Sequence, residues 1–587
     1  MNLSAAPLTP EQALNRLKSS TAAKRVVGNK PFELAHTEKL NNQDYLFVFN
    51  RNNDGFIIAS ADDRMPALLG YSDNGAFDLA TASPELKWWL GQYAVQASQS
   101  LNSVVSPLAD EGGTDSSREE IPVLIKTKWN QGAPFNNDCP EDDGGKCVTG
   151  CVATAMAQVI KYHGYPSQGK GTHSYDWNKR ELIYDYGNAV FDFNNMIDEY
   201  NYSSDSGKPT PTQEQEAAVA NLMHACGVGV NMSYTSKESG AQDLNVAYAL
   251  QKFFNYSSDI RYLDRELFSD NDWEDIVYEE LKAGRPVIYG GSSNTGGHEF
   301  ICDGYKDGYF HINWGWGGMS DGYFSLSVLD PKEQGIGGAV SGNGYNKSQA
   351  IICGIQPKEE GDLRSSNPFF VTAGVIGADI YQAQMLVAFT EGYLGNYYPE
   401  EIKANFYIKA IPESGGEAIY STKAPMTFGA RMGKMSFWLD MPTDLTQGDY
   451  KIFIVYKMSE GDDYCNLPIP RGMSDYIEVS VDESGSVNLK DEIKPSITAS
   501  TFSPTAEVFS GEYSEFEIFI SNTGMAGYHG GIYVRTFDKT TNEKLTEYEI
   551  FNNIDILMNQ YISGTVYVQF NDSDNKPLPA GEYNLQC

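Results

Sequence analysis

Cys151 stands at the head of the run TGCVATAMAQVIKYH, His298 follows 147 residues later in GGHEFICDGY, and Asn313-Trp314-Gly315 comes shortly after. A cysteine, then a histidine, then an asparagine at long range is a set of side chains suited to nucleophilic acyl transfer. The thiol attacks a carbonyl carbon only as thiolate, so it needs an imidazole to take its proton and a helix N-terminus to favour its charge. The tetrahedral intermediate then needs hydrogen-bond donors, usually the nucleophile's own N–H and an amide side chain. Gln131, in KWNQGAPFN and 20 residues before Cys151, is the amide that the order offers.

Thr149-Gly150 supply a turn into the stretch after Cys151, whose Ala, Met and Gln content and apolar Val152, Met156, Val159 and Ile160 predict a buried helix with the cysteine in its first turn. A lone cysteine is more often packing than chemistry, so the reading depends on its partners. Seven histidines are available, at 36, 163, 173, 224, 298, 311 and 529. His163 shares the predicted helix and lies roughly 18 Å along it, too far for a hydrogen bond. His224 in NLMHACG reads as helical packing. His298 follows two glycines and opens a buried-strand pattern, so a substrate backbone can pass close to its ring. Asn313 falls on the next strand after the KDGY turn, where its oxygen would orient the imidazole and Trp314 would shield the pair from water. His311 is the rival base, but it lacks a glycine approach.

With 587 residues the chain exceeds one core, at roughly 150 residues per domain. The formal charge of -35, from 43 Lys plus Arg against 78 Asp plus Glu, argues against nucleic acid or anionic lipid as partner. No stretch approaches the roughly 20 apolar residues of a membrane span, and MNLSAAPLTPEQALNRL lacks the apolar core of a signal peptide, which suggests a secreted or cell-surface protein whose signal has been removed. The eight cysteines are too sparse for a disulfide scaffold, with Cys139 and Cys147 the one candidate local bridge. No CxxC pair or HExxH occurs, and acidic tracts such as Asp54 and Asp572 to Asp574 read as solvated loops rather than calcium sites, so neither metal nor cofactor is expected.

The predicted organisation is α+β at the front and all-β at the back. Residues 1–118 carry a helix from Pro10 to Ser19, strands in YLFVFN and GFIIAS, an aromatic helix around Pro84 to Ala97, and then a polar linker at 109–120. Residues 119–358 are rich in aromatics and glycine clusters, as the floor and rim of a cleft require. From 361 onward, short alternating strands such as ANFYIKAI, YKIFIVYK, EFEIFIS and GGIYVRTF predict two Ig-like β-sandwiches, 361–493 and 494–587, split near Lys494-Pro495. LTQGDYKIFIVYK matches LPAGEYNLQC at the end, which suggests a repeated unit and a last strand cut short at Cys587. Asn396-Tyr397-Tyr398 is expected to be exposed and is a weak binding candidate.

KWNQGAPFN, TGCVATAMAQVIKYHGYP, GGHEFICDGY and HINWGWGGMSDGYF resemble the motifs of the streptopain family of secreted bacterial cysteine peptidases, over most of residues 121–357. The resemblance implies a papain-like fold, Cys151 as nucleophile, His298 as base, Gln131 in the oxyanion hole, and Asn313 with Trp314 supporting the histidine. It also implies endopeptidase activity on protein and peptide substrates, with a hydrophobic preference at the second residue before the cut, and a mobile active-site loop in GIGGAVSGNGYN, residues 335–346. GFIIASADDRMPALLGYS resembles the family's prodomain, which covers the cleft until self-cleavage, expected here in or beside the 109–120 linker. Trp88 and Trp89 would either occupy the cleft or anchor the helix to its own core. The competing function is an inactive papain-like adhesin, since Ig-like tails are common on surface-binding proteins. The tail itself would present substrate, dock to a surface or pack on the enzyme.

Overall fold

The computed structural model describes the chain from Pro7 to Gln586 except residues 21–22, 24–25, 27–30, 53, 101–117, 204–208, 266–267, 269, 294–295, 327–348, 361–366, 373, 382, 390–391, 461, 470–472, 491–496, 510, 523–527, 557–560, 573–575 and 580–582; at 99–100, 291–293, 296–297, 529–530, 553 and 555 it describes the backbone alone. Helix α1 (Pro10–Ser19) starts where sequence and capping agree: Pro10 takes the first position, and Thr9 and Gln12 cap each other's free N–H groups. Strands β1 (Glu33–Leu40), β2 (Gln43–Asn50), β3 (Phe56–Ser60) and β4 (Leu68–Ser72) form an antiparallel meander. Helix α2 (Pro84–Ser100) then crosses one face of it.

The following region has two parts. A helical part holds the short hairpin β5 (Glu141–Asp142) and β6 (Gly145–Lys146), α3 (Cys151–His163), the hairpin β7 (Thr172–Trp177) and β8 (Arg180–Asp185), α4 (Gln213–Gly229) and α5 (Leu244–Lys252). A sheet part holds β9 (Arg261–Asp264), α6 (Asp270–Lys282), β10 (Val287–Ser293), β11 (Gly296–Lys306), β12 (Tyr309–Asn313), β13 (Gly322–Phe324) and β14 (Gln349–Cys353). The small residues Ala153, Ala155 and Ala157 are wholly buried and let α3 approach its neighbours closely.

The N-terminal strands and the later ones make a single ten-stranded sheet, in the order β1-β2-β3-β4-β13-β12-β11-β10-β14-β9. The seam is β4 against β13, antiparallel, with Tyr71 opposite Tyr323 and Gly70 opposite Phe324. A Cβ on Gly70 would lie 2.7 Å from the Phe324 ring, so the glycine permits the join. Beside the seam, α2 lays Trp89 into an aromatic box: Tyr93 at 5.6 Å, Tyr289 at 5.6 Å, Phe300 at 5.5 Å and Trp314 at 6.1 Å between ring centroids. Trp89 is 1% exposed.

Downstream, the chain is all-β. In the first unit, strands such as Ile402–Pro412 and Gly448–Lys457 pair antiparallel and alternate buried with less buried residues. In the second, two three-stranded antiparallel sheets enclose Phe516, Ile518, Ile520, Ile532, Val534 and Val566. The proposed split near Lys494-Pro495, most of the 109–120 linker, the 335–346 loop and Cys587 lie outside the described residues.

Two expectations are corrected. Asn396, Tyr397 and Tyr398 are buried, not exposed, because the first β unit packs on α5. The Tyr397 and Tyr398 hydroxyls donate to Gln251 Oε1 at 2.7 and 3.2 Å, and the Tyr398 ring meets Tyr248 edge-on at 4.7 Å. Cys139 and Cys147 are separate buried thiols, not a bridge. Among the described residues, no helix is long and apolar enough to cross a membrane.

Trp89→Ala would empty the aromatic box. The expected loss is about 3–5 kcal/mol, read as a lower denaturant midpoint of the intact Cys151→Ala chain.

Candidate active site

The site forms where α3 meets the sheet. Gly150 turns the chain into α3 at φ +83°, and a Cβ there would lie 2.7 Å from the Ser239 carbonyl oxygen and 2.9 Å from Met232 Sδ, so only glycine fits before the cysteine. Cys151 is then the first helical residue, with its side chain at the positive end of a 13-residue helix. Cys151 lines a cleft of about 1280 Å³ together with Gln131, His298 and Trp316. Gln131 is held by its backbone: its carbonyl accepts from the Thr149 N–H at 3.1 Å and its own N–H donates to Asn130 Oδ1 at 2.7 Å. Cys151, His298 and Gln131 therefore share one cavity.

Asn313 and Trp314 sit differently from expectation. The Asn313 amide donates to the Thr127 carbonyl at 3.0 Å and to Gln158 Oε1 at 3.3 Å, while its oxygen accepts from the Gly315 N–H at 3.0 Å. Trp314 is fully buried, donates to the Ser320 carbonyl at 3.0 Å and packs on Phe300 at 4.9 Å. Among the described residues, neither ring nitrogen of His298 bonds Asn313 or Cys151. The Asn313 amide is already taken up by Thr127, Gln158 and Gly315, and Trp88 of α2 lies 5.9 Å from the His298 ring on the cleft wall. His311 is not free to serve as the base, since its Nδ1 is 2.6 Å from the buried Asp303 carboxylate.

Neither tryptophan reading holds as stated: Trp88 lines the cleft beside His298, and Trp89 anchors the helix to Tyr289, Phe300 and Trp314 of the later sheet rather than to a core of its own unit. One turn earlier, Glu85 is 2% exposed and accepts a hydrogen bond from Trp316 Nε1. Sequence reasoning passed over this pair. The signal was present in NWGWGG, whose second tryptophan is an aromatic with an N–H that needs a partner when buried.

The electrostatics are those of a silenced thiol. Burial pushes Cys151 well above its ordinary range, and the charges of Glu85 and Glu299 push the same way, against the backbone N–H groups of Glu299 and Val152. Burial lowers His298, with Glu238 opposing it weakly. A neutral thiol beside a neutral imidazole attacks slowly. Burial also pushes Glu85 up to about 7, despite the hydrogen bonds from Trp316 and Ser83.

A thiol and an imidazole in one cleft, walled on one side by Glu85 and Trp88 of α2, define a site suited to cysteine-dependent hydrolysis. Residues 129–324 match the Peptidase C10 family and residues 5–97 the Spi protease inhibitor. The chain is 33% identical over 338 residues to streptopain of Streptococcus pyogenes, covering 53% of this chain and 81% of that one. It is also 33% identical over 357 residues to the thiol protease/hemagglutinin PrtT of Porphyromonas gingivalis, covering 58% of this chain but only 40% of that relative. A solved fragment of prointerpain A from Prevotella intermedia matches at 33% identity and a TM-score of 0.46, covering 56% of this chain and all of that one. The chain belongs to the streptopain family of cysteine peptidases, the Peptidase C10 family.

Glu85 gives the covered cleft a pH dependence. Docked, it holds its proton to about 7; released, it ionises at its ordinary 4.5. The docking stability is therefore complete below about 4.5 and falls as pH rises towards 7, by about 3 kcal/mol in all. Chemical unfolding of the Cys151→Ala chain at pH 5 and pH 7.5 is expected to show this loss, and Glu85→Gln to remove most of the difference.

Proposed function

We propose that the chain is a secreted cysteine endopeptidase made as a self-processing zymogen. The observation that carries this reading is the shared cleft: Cys151 at a helix N-terminus, His298 on β11 and Gln131 line one cavity, with Trp88 5.9 Å from the His298 ring. In the proposed mechanism, withdrawal of α2 lets water and substrate into the cleft, and the Cys151 proton passes to His298. The thiolate sulfur then bonds the peptide carbonyl carbon. The Cys151 N–H and the Gln131 side-chain amide hold the oxyanion. His298 returns the proton to the leaving amine, and water releases the acyl group. Asn313 and Trp314 support the imidazole once α2 has gone; this requires the Asn313 oxygen to leave its bond to the Gly315 N–H.

Residues 1–118 act as the inhibitor, residues 119–358 as the papain-like enzyme, and the 109–120 linker as the site of cutting. The family resemblance supports a hydrophobic preference at the second residue before the cut. For the tail, residues 361–493 and 494–587 are read as Ig-like units available for surface attachment. Supporting this, Tyr450 donates to the Thr446 carbonyl at 2.9 Å and Tyr583 to the Pro579 carbonyl at 2.5 Å. Both reach four residues upstream from matching Gly-Asp-Tyr and Gly-Glu-Tyr steps, the tyrosine corner of such domains.

The test is incubation of the purified chain beside Cys151→Ala under reducing conditions, followed by mass spectrometry and labelling with an epoxide thiol inhibitor. The parent is expected to cut itself near residues 109–120, label at Cys151 and degrade casein, while the variant stays whole. If both remain whole and unlabelled after another protease has removed the N-terminal unit, the adhesin reading replaces this one. In the processed enzyme, Gln131→Ala is expected to lower kcat by about 10²–10³-fold with little change in KM.

A further inference from the structure

The residue after His298 has no part in the mechanism above, yet it is among the most buried charges of the chain. Side chains alternate along β11. His298 and Phe300 face Trp88, whereas Glu299 and Ile301 face the opposite side, where Ile301 joins the core that contains Cys151 and α3. Glu299 is 2% exposed. Its place is made by Gly290, directly opposite on β10: a Cβ there would stand 3.1 Å from Glu299 Oε1 and 3.2 Å from its Cγ.

The partner of Glu299 is another acid. Asp243 is the N-cap residue of α5, a position where aspartate ordinarily accepts from the helix's own N–H groups, but it makes no such side-chain cap. It shares a hydrogen bond with Glu299 instead. Burial raises both carboxyls, Glu299 far above its ordinary value, and neither makes an ion pair among the described residues. A hydrogen bond between two carboxyls needs a proton on one of them, which leaves the pair with at most one negative charge. Glu299 Oε2 is left buried with no hydrogen-bond partner, an arrangement that costs about 1–3 kcal/mol unless a donor arrives. The pair adjoins the substrate cleft, because Ala241, Gln242 and Asn245, on either side of Asp243, line it. Among the described residues, no third His, Cys, Asp or Glu gathers with them, which does not suit a metal ion.

We propose that Glu299 and Asp243 form a recognition site for the cationic side chain of a substrate, a lysine or arginine, that enters the cleft along the wall from Ala241 to Asn245. The single negative charge matches a single cation, and an ammonium or guanidinium N–H supplies the donor that Oε2 lacks. The long aliphatic stem suits the apolar surroundings, as such side chains bury the stem and charge only the tip. The proposal deepens the peptidase reading: beside apolar residues, the enzyme accepts basic ones at one position of the substrate.

The experiment compares kcat/KM of the processed chain on fluorogenic peptides that differ only in Val, Leu, Lys or Arg, placed in turn at each of the three residues before the cut. At one position the basic peptides are expected to be cleaved at least as well as the Val peptide, and Glu299→Gln to lower the basic-to-Val ratio at least tenfold. Asp243→Asn, which keeps its shape, is expected to lower the ratio in the same direction. Rejection of Lys and Arg at all three positions, or an unchanged ratio in both variants, overturns the proposal. If no peptide is hydrolysed the peptidase reading itself has failed. Binding of fluorescein-labelled Lys and Val peptides to the Cys151→Ala chain freed of residues 1–118 then decides: tenfold tighter Lys binding that Glu299→Gln abolishes supports the site, and equal affinities overturn it.

Discussion

The contact of Trp88 and Trp89 with β11 is the constraint on which the arrangement depends. The two neighbours on α2 point into different environments: Trp89 fills a closed aromatic box and cannot shift without opening a void, so Trp88 is held against His298. In the proposed zymogen, latency would rest on core packing rather than on a flexible plug. The seam between β4 and β13 adds backbone hydrogen bonds to the same docking, so the N-terminal unit is continuous with the residues that follow in both sheet and core. Burial raises Cys151 and lowers His298, and the Glu85 carboxyl that α2 brings pushes the thiol further up.

Legibility followed the kind of signal. α1 was readable to the residue because Thr9, Pro10 and Gln12 are local capping chemistry. The burial of α3 was readable from Val152, Met156, Val159 and Ile160, whose spacing leaves one outcome. Gln131, Cys151 and His298 could be gathered from chain order and glycine context, and the cavity contains all three. Asn313 could not be placed the same way. Spacing puts it on the strand beside β11, but which of several buried acceptors and donors takes its amide depends on Thr127 and Gln158, which approach from distant segments.

The exposed reading of Asn396-Tyr397-Tyr398 failed for a related reason. Tyrosines just after a short strand look the same in sequence whether they face water or another unit, and here Gln251 and Tyr248 of α5 cover them. That contact reaches the cleft wall, because Arg431 of the first β unit donates to the Asn245 side chain, which lines the cavity. The tail is thereby part of the enzyme's framework. The pairing of Glu299 with Asp243 was equally hidden, since nothing local to either residue names the other.

The seam has one more consequence, for solubility. Parting of β4 from β13 would turn an interior strand into the border of the remaining sheet, with unpaired N–H and C=O groups open to any passing chain. That border is only Gly322–Phe324, three residues long. A template so short offers too few rungs for fibrillar stacking, so the chain could lose its N-terminal unit without gaining a sticky flank.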